Sequence, residues 1–284
     1  KLRVSDVKPF VEYFAGHIEV DFAIPFNEHV RIAVCSGRGI GLDKGDRALR
    51  PIVIGECLRR LAGRCILDVA FRSGIGEELG RLLQFGADIK GGTDLALHLP
   101  RAALEALASA TPERLEQLFP GGKIDVKDGF ACVSADAVNA FCSLRIDLVL
   151  ESVCRRIPQL VGFFSTCYRP NSPTRVVLDD YSTVNATSLA QGCCISSICC
   201  ACVILDIMED VRRDFANTKQ KGWTMETAYQ DDIFGIVPVA LVPRYLASLR
   251  THGKKRGLSF DNAAKNLVYV PQQFLPMNNP RDHL

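Results

Sequence analysis

Hydrophobic and polar positions follow two patterns along this chain. Short apolar runs rich in β-branched residues alternate with longer stretches in which apolar residues recur every three or four positions. The first pattern is typical of strands, and the second is typical of helices that bury one face. Neither an internal repeat nor a low-complexity linker interrupts the alternation. The sequence therefore predicts a mixed α and β domain.

Four stretches have the helical spacing. The first covers residues 51–65 and the second residues 95–118, with Thr111 and Pro112 as an N-cap and first-turn pair and with Pro120 and Gly121 as its end. A third helix ends at Pro158, and a mostly buried fourth helix begins after Gln191 and Gly192. The apolar positions of the first helix are Ile54, Leu58, Leu61 and Cys65, with Arg59, Arg60 and Arg64 on or near the other face; those of the third are Ile146, Leu150, Val153 and Ile157.

Three strand patterns place acidic residues where the backbone turns. The apolar segment GFACVSAD ends at Asp136, as a buried strand with a carboxylate at its C-terminal end would. The segment TRVVLDDYSTVN predicts a hairpin that turns near Asp179 and Asp180. The segment TAYQDDIFGIVPV predicts a strand, a turn and a strand, with Asp231 and Asp232 at the tip.

A divalent metal is the strongest reason for an apolar hairpin to carry two adjacent acids. Mg²⁺ prefers carboxylate and phosphate oxygens, and two such ions stabilise the attacking and leaving oxygens of a phosphoryl displacement. Asp136 and Asp231 are the candidate ligands. The alternative is a solvated turn, which Asp favours in any case, and Asp179 with Asp180 shows that such a turn occurs elsewhere in this chain.

Composition excludes several classes of protein. The chain has 284 residues, 48% hydrophobic and 23% charged, which excludes a disordered chain, a collagen-like repeat and a coiled coil. Its length predicts one compact unit with subdomains. The net charge of +2 does not by itself indicate nucleic acid or membrane, so any basic surface must be local. The longest apolar stretch, Cys193–Leu205, is shorter than the roughly 20 residues of a bilayer span, and we expect no membrane segment.

The cysteines bear on the redox compartment of the protein, and the start of the chain bears on neighbouring domains. Twelve cysteines occur without the paired spacing of a structural zinc site, and five are crowded into CCISSICCAC, where they cannot form an ordinary disulfide framework. We therefore expect a reducing, intracellular compartment. The chain opens with KLRVSDVKPF, which has neither an initiator Met nor a signal-peptide core, so we expect neighbouring domains in a longer protein.

Two motifs in a fixed order carry a resemblance to a known family. Tyr229-Gln230-Asp231-Asp232 resembles the Y/F-x-D-D motif of reverse transcriptases, specifically those of non-LTR (LINE-like) retrotransposons, and DAVNAF from Asp136 resembles their D-x-x-x-A-F motif. The resemblance implies that Asp136 and Asp231 bind two Mg²⁺ ions, for which Mn²⁺ is a possible substitute. It also implies that Asp232 supports them.

Further matches extend the resemblance from about Leu42 to Lys265. LDKGDRALRPIVIGECLRRLAGRC resembles the fingers segment, in which Lys44 and Arg50 would contact the incoming triphosphate. Without the other motifs, both would be interpreted as solvated surface cations. Phe141 occupies the steric-gate position, where an aromatic ring excludes a ribose 2′-hydroxyl, although a plain core aromatic is the alternative.

Two more segments complete the resemblance. Gln191-Gly192-Cys193 resembles the Q-G-C-P-L-S-P motif, whose helix lies beneath template and nucleotide, and glycine there allows nucleic acid to approach the backbone. Gly257 followed by Lys265 resembles the segment whose lysine protonates the leaving pyrophosphate. This chain departs from the pattern at Ala190, Cys194 and Ser197, and its Gly257-to-Lys265 spacing is one residue longer than usual. The basic run before it, Arg250, His252, Lys254, Lys255 and Arg256, either follows a nucleic-acid backbone or is an ordinary solvated face.

The resemblance implies an α+β, right-hand polymerase fold with fingers at 1–128 and a palm at 129–284, an antiparallel palm sheet flanked by helices, and a thumb that is largely missing. The implied activity is RNA-directed DNA synthesis, with RNA template, DNA primer and dNTPs as partners, in the nucleus or cytoplasm. An RNA-dependent RNA polymerase is one alternative, but Phe141 and Tyr229 argue against it. A domesticated fold that only binds RNA is the other, and the intact aspartates argue against that. Flanking domains for nucleic-acid binding or endonuclease activity are also expected.

Overall fold

The computed structural model describes residues 28–43, 45, 49–111, 113–114, 117, 129–168, 174–216, 224–261 and 265–271. Its strands are β1 (Gly37–Asp43), β2 (Leu49–Gly55), β3 (Phe130–Ala135), β4 (Thr174–Val177), β5 (Thr183–Ala186), β6 (Met225–Tyr229), β7 (Asp232–Pro238) and β8 (Leu267–Tyr269). Its helices are α1 (Glu28–Cys35), α2 (Cys57–Arg72), α3 (Ile75–Arg81), α4 (Gly92–Ala108), α5 (Ala140–Ser143), α6 (Ile146–Arg156), α7 (Val161–Cys167), α8 (Ser196–Ala216) and α9 (Val242–Lys255). Short 3₁₀ turns lie at Pro158–Leu160 and Val239–Leu241.

The chain divides into two compact units, each built from two separate segments. Unit 1 comprises Lys1–Leu79 and Asn139–Val203, and unit 2 comprises Gly80–Val138 and Ile204–Leu284. These units do not coincide with a division at residue 128, and the assignment of fingers to 1–128 and palm to 129–284 stays a prediction.

Unit 1 contains a four-stranded sheet in the order β2-β1-β4-β5. Strands β1 and β2 form an antiparallel hairpin, β1 pairs with β4 in parallel, and β4 pairs with β5 across the predicted hairpin turn at Asp179 and Asp180. Of the predicted apolar stripe, Val153 in α6 and Ile157 just after it are buried, whereas Ile146 and Leu150 are only partly buried and Val149 takes part in the buried face instead.

Unit 2 contains a fully antiparallel sheet in the order β6-β7-β3-β8. Helix α4 packs on it through a cluster of Leu104, Leu107, Phe130 and Ile236, all buried. The strand that ends before Asp136 and the hairpin around Asp231 and Asp232 form as predicted. The buried helix predicted after Gln191 and Gly192 also forms, as α8.

Two predicted helices differ from the structure. Residues 51–55 belong to strand β2, and the helix begins only at Cys57, because Ile52, Val53 and Ile54 pair with β1 in a hairpin. The helix predicted over 95–118 instead covers Gly92–Ala108. A new turn follows it, in which the Thr111 hydroxyl accepts a hydrogen bond from the Arg114 N–H, as an N-cap does. Pro112, Pro120 and Gly121 lie outside the described residues.

Arg59 also differs from its prediction as part of a charged helix face. Its side chain is only 2% exposed, and its guanidinium donates hydrogen bonds to the Cys35 carbonyl and to Cys193 Sγ. The guanidinium also lies over the Tyr168 ring, 5.2 Å from the centroid. Two of its nitrogens, Nη1 and Nη2, are engaged in these hydrogen bonds, which lowers the cost of burying the guanidinium.

Candidate active site

Strand β3 delivers Asp136 to one end of the unit 2 sheet. The strand is central, with β7 on one side and β8 on the other, and Asp136 is the first residue after it. Its N–H donates a hydrogen bond of 3.2 Å to Asn266 Oδ1, and the Val138 N–H donates one of 2.9 Å to the Ser259 carbonyl. These bonds fix the backbone on which the Asp136 carboxylate stands.

The hairpin of β6 and β7 delivers the other two carboxylates to the same end. Tyr229 pairs with Asp232, so Gln230 and Asp231 form a two-residue turn, and Gln230 has the left-handed φ of 55°. Ala135 pairs with Ile233, so Asp136, directly after β3, and Asp232, the first residue of β7, lie beside each other at the same end of the sheet. The register therefore brings together acids that stand far apart in the sequence.

The electrostatics of the site show concentrated negative charge. The pKa of Asp232 is raised to about 6, first by partial burial of its carboxyl group and then by the charges of Asp231 and Asp136. Lys265 forms an ion pair with Asp136, and its positive charge lowers the pKa of Asp232. The hydrogen bond to Asp136 in turn raises the pKa of Lys265. One lysine thus partly balances three acids.

The three carboxylates fit Mg²⁺ in donor chemistry and in charge. They are hard oxygen donors, and a cation among them would relieve the repulsion that raises the pKa of Asp232. Within the described part of the chain, however, no three Asp, Glu, His or Cys side chains are already arranged to hold a metal ion. The Lys265 ammonium group lies on Asp136, so this ion pair must open for Asp136 to become a ligand.

The predicted nucleotide-binding residues that are described belong to unit 1. Arg50 lies exposed on β2, and the Gln191 carbonyl accepts a 2.7 Å hydrogen bond from the Val53 N–H of the same strand. Gly192 has a φ of +105°, and a Cβ there would lie 2.8 Å from the Val53 carbonyl oxygen, so the position favours glycine. Lys44 lies outside the described residues.

A cavity of about 570 Å³ lies beside this strand, between the β1–β2 hairpin, the β4–β5 hairpin and the 187–191 loop. Its lining includes Ile52, Gln191 and Cys142. Phe141, the predicted steric gate, is half-buried on α5 next to Cys142. Unit 1 thus brings the Gln191-Gly192 segment against the strand that carries Arg50.

The basic run before Lys265 is largely engaged with carboxylates of its own unit. In this run Lys254 and Lys255 are exposed, whereas the other three side chains contact carboxylates, which favours a local network over a continuous basic surface. The other members pair as follows: Arg250 with Asp261 at 3.1 Å, His252 with Asp214 at 2.8 Å and Arg256 with Asp210 at 2.7 Å.

Sequence reasoning missed Gln84 and Gly86, which contact the turn at Gln230 directly. The Gln84 side chain is fully buried, and its amide group binds the backbone of Gln230. The available signal was weak: one polar residue among Leu82, Leu83 and Phe85, followed by a glycine. The contact joins residues distant in sequence, which no local pattern reveals.

Comparison of the sequence with protein-family profiles and with curated proteins gives no match. Solved structures of telomerase do match. Telomerase from Candida albicans, in complex with the TWJ fragment of telomeric RNA, is 14% identical with a TM-score of 0.52, over 96% of this chain and 47% of that one. Apo telomerase from Candida tropicalis, truncated from its C-terminal domain, is 11% identical with a TM-score of 0.49, over 84% of this chain and 51% of that one. The chain spans about half the length of these telomerase chains.

The likeness to the Candida albicans structure shows the fold. The chain has the mixed helix-and-sheet fold of reverse-transcriptase-type polymerases, which telomerase catalytic subunits share. The predicted α+β polymerase fold is therefore confirmed. Among the described residues, none of the helices has both the length and the apolar character needed to cross a membrane.

Proposed function

We propose that this chain is the polymerase core of an RNA-directed DNA polymerase, which adds dNTPs to a primer 3′-hydroxyl. The observation that carries the proposal is the convergence of Asp136 with Asp231 and Asp232 at one end of an antiparallel sheet, where burial and then the two neighbouring charges raise the pKa of Asp232. Such a concentration of acids in a polymerase-type fold supports a cation-dependent phosphoryl transfer.

In the proposed reaction, the primer 3′-oxygen forms a bond to the α-phosphorus of a dNTP while the bond to the bridging oxygen breaks. Asp136 and Asp231 hold two Mg²⁺ ions, or Mn²⁺ in their place, and Asp232 supports them. When bound, the ions supply Lewis-acid stabilisation of the attacking and leaving oxygens. The 3′-hydroxyl proton passes to water, and Lys265 donates a proton to the leaving pyrophosphate.

The residues of unit 1 supply substrate binding in this proposal. Lys44 and Arg50 bind the triphosphate, since a mobile ammonium and a forked guanidinium suit phosphate oxygens. Gln191 and Gly192 support template and nucleotide, and Phe141 excludes the ribose 2′-hydroxyl. RNA template, DNA primer and dNTPs are the proposed partners. The TWJ telomeric RNA in the Candida albicans structure supports an RNA partner for this fold.

The resemblance of the motifs around Asp136 and Asp231 supports a more specific role, as the polymerase of a non-LTR retrotransposon. We place this activity inside the cell, in the nucleus or cytoplasm, within a longer protein whose flanking domains bind nucleic acid or cut the target. The reaction is tested on the chain in its longer native context.

The test is primer extension on an RNA template with Mg²⁺, with dNTPs and NTPs in separate reactions. We expect dNTP incorporation by the wild-type chain and its loss in Asp231→Ala. Asp180→Ala is the matched control, because Asp180 also belongs to an adjacent acid pair at a hairpin turn. Salt-sensitive RNA binding without extension would leave a binding domain and overturn the proposal. Preferential incorporation of NTPs would indicate an RNA polymerase instead.

A further inference from the structure

The segment Leu83–Gly86 lies along the outer edge of the catalytic hairpin. Strand β6 is the edge strand of its sheet, and the Phe85 N–H donates a 2.8 Å hydrogen bond to the Ala228 carbonyl. The Ala228 N–H donates one of 2.8 Å to the Leu83 carbonyl. These reciprocal bonds form a short parallel bridge, so the segment is attached to the strand that leads into Asp231.

The Gln84 side chain uses both ends of its amide group on the turn. Its Nε2 donates a 3.0 Å hydrogen bond to the Gln230 carbonyl, and its Oε1 accepts one of 2.9 Å from the Gln230 N–H. The same oxygen accepts a 3.0 Å hydrogen bond from the Gly86 N–H. The side chain is fully buried, so water does not compete for these bonds.

The residue that Gln84 holds is the one with unusual backbone geometry. Gln230 has a φ of 55°, which a side chain other than glycine adopts only at a cost. A conformation of this kind persists when the surroundings fix it. Asp231 follows directly, so the direction of its carboxylate depends on the Gln230 backbone.

Gly86 fixes the same turn by close contact. A Cβ on Gly86 would collide with the Gln230 nitrogen and lie 3.0 Å from the Gln230 Cα. The backbone of the segment therefore touches the turn where no side chain fits. Hydrogen bonds from Gln84 and contact with Gly86 act on one residue from one side.

We infer that Gln84 is a positioning residue, which holds the Gln230 backbone so that Asp231 and Asp232 face Asp136 and a divalent cation. The inference rests on the proposed function for the role of the cation. It extends the site to a segment of unit 2 that touches neither the substrate nor the reacting atoms. Gly86 provides the space in which this arrangement forms.

The first test measures the turn without reference to activity. Gln84→Met keeps the length of the side chain but removes its hydrogen bonds. We expect the Gln230 amide proton to exchange with solvent about ten-fold faster in this variant, as measured by NMR, and the melting temperature to fall, because the backbone groups that Gln84 binds lose their partner. Gln159→Met is the matched control, because the Gln159 amide hydrogen bonds to Ser73 and not to the turn. An unchanged exchange rate at Gln230 would overturn the inference.

The second test measures the cation site. Loss of a group that orients a metal ligand costs about ten-fold in metal affinity. We expect Mn²⁺ to bind Gln84→Met about ten-fold more weakly, as titrated by electron paramagnetic resonance, and the Mg²⁺ concentration for half-maximal extension to rise in parallel. The dNTP KM and the affinity for primer–template stay unchanged. A purely structural role would instead lower only the active fraction and leave Mn²⁺ affinity and Mg²⁺ dependence unchanged, and would overturn the inference.

Gly86→Ala provides a second variant if Gln84→Met does not fold. It keeps every Gln84 hydrogen-bonding atom but pushes on Gln230, and we expect the same weaker Mn²⁺ binding. Gly80→Ala is its matched control, because a Cβ there meets only the flexible end of Ile89. If the wild-type chain does not extend a primer and Asp231→Ala binds Mn²⁺ as tightly as the wild type, the proposed function fails and the inference falls with it. If the wild-type chain extends a primer and Asp231→Ala loses Mn²⁺ binding, but the Gln84 and Gly86 variants match their controls, the inference alone is overturned.

Discussion

Asp232 is the acid whose pKa responds to the grouping of three carboxylates at one end of the sheet. Its pKa is raised to about 6, so it is charged at pH 8 and becomes protonated as the pH falls through about 6. A protonated carboxyl group attracts a cation less, so we expect the Mg²⁺ affinity to fall below about pH 6. At limiting Mg²⁺ the rate of primer extension should therefore fall below about pH 6, as the acidic limb of its pH profile, and saturating Mg²⁺ should move this limb to lower pH. An extension rate that is flat from pH 8 to pH 5 would contradict the assignment.

The free energy of unfolding of the metal-free chain should change with pH in the opposite direction to the Mg²⁺ affinity. A group with a raised pKa favours folding below its ordinary pKa, and this contribution is lost as the pH rises through about 6. Asp232→Asn removes the charge, so we expect it to stabilise the metal-free chain at pH 8 by about 1 kcal/mol, after allowance for solvent screening. Urea unfolding at pH 8 and pH 4 measures the difference. An equal effect at both pH values would show that the charge of the partly buried Asp232 carboxylate is not the cause.

Lys265 links the charge of the site to its chemistry. Its positive charge lowers the pKa of Asp232, so Lys265→Met should move the acidic limb of the pH profile upwards. A lost proton donor also costs about 10²-fold in kcat, without a comparable change in the dNTP KM. Single-turnover extension from pH 5 to pH 9 separates the two effects. Lys265→Arg keeps the charge, so its acidic limb should remain where the wild type has it.

At the level of elements, the β6–β7 hairpin packs closely against α9 at Gly235. A Cβ on Gly235 of β7 would collide with the Tyr245 hydroxyl and lie 2.8 Å from its Cε1. Tyr245 is fully buried, so its ring cannot move aside into solvent. We expect Gly235→Ala to lower the free energy of unfolding by about 2 kcal/mol, as measured by urea titration.

Tyr245→Phe tests whether the contact is specific. The Tyr245 hydroxyl is buried and has no hydrogen-bond partner among the described residues, so its removal should change the free energy of unfolding by less than about 0.5 kcal/mol. Combined with Gly235→Ala, it should recover about 1 kcal/mol, because the hydroxyl collision disappears while the ring contact remains. Strictly additive effects would show that the two groups do not meet.

Elements whose pattern is local were predictable from the sequence. The strand before Asp136 and the hairpin around Asp231 combine apolar runs with a turn, and both form where expected. The helix predicted from residue 51 began too early. Ile54 and Leu58 fit helical spacing, but residues 51–55, Ile54 among them, pair with β1. Arg59 and Gln84 were missed, because each is buried through partners that are distant in the chain.

At the level of the whole chain, each of the two units is built from two separate segments, so a cut at a single position divides a unit. Helix α4 belongs to unit 2, although it precedes residue 129, and its Leu104 and Leu107 pack against Phe130 and Ile236 of the sheet. Removal of 1–128 would expose this apolar face, and each such side chain contributes about 2 kcal/mol by burial. The bridge from Leu83–Gly86 to the catalytic hairpin would be lost as well.

We therefore expect the piece 129–284 to lack a cooperative unfolding transition, although it contains all the predicted metal ligands. Circular dichroism during thermal unfolding and the dispersion of amide NMR signals measure this directly. Co-expression of 1–128 with 129–284 is the control, because it restores α4 without restoring the covalent chain. A cooperatively folded 129–284 that binds Mn²⁺ as tightly as the whole chain would show that the acids need neither α4 nor Gln84. The cation site would then need nothing from residues 1–128, whereas failure of the piece and recovery on co-expression would tie it to 1–128, which carry α4 and Gln84 together with the first segment of unit 1.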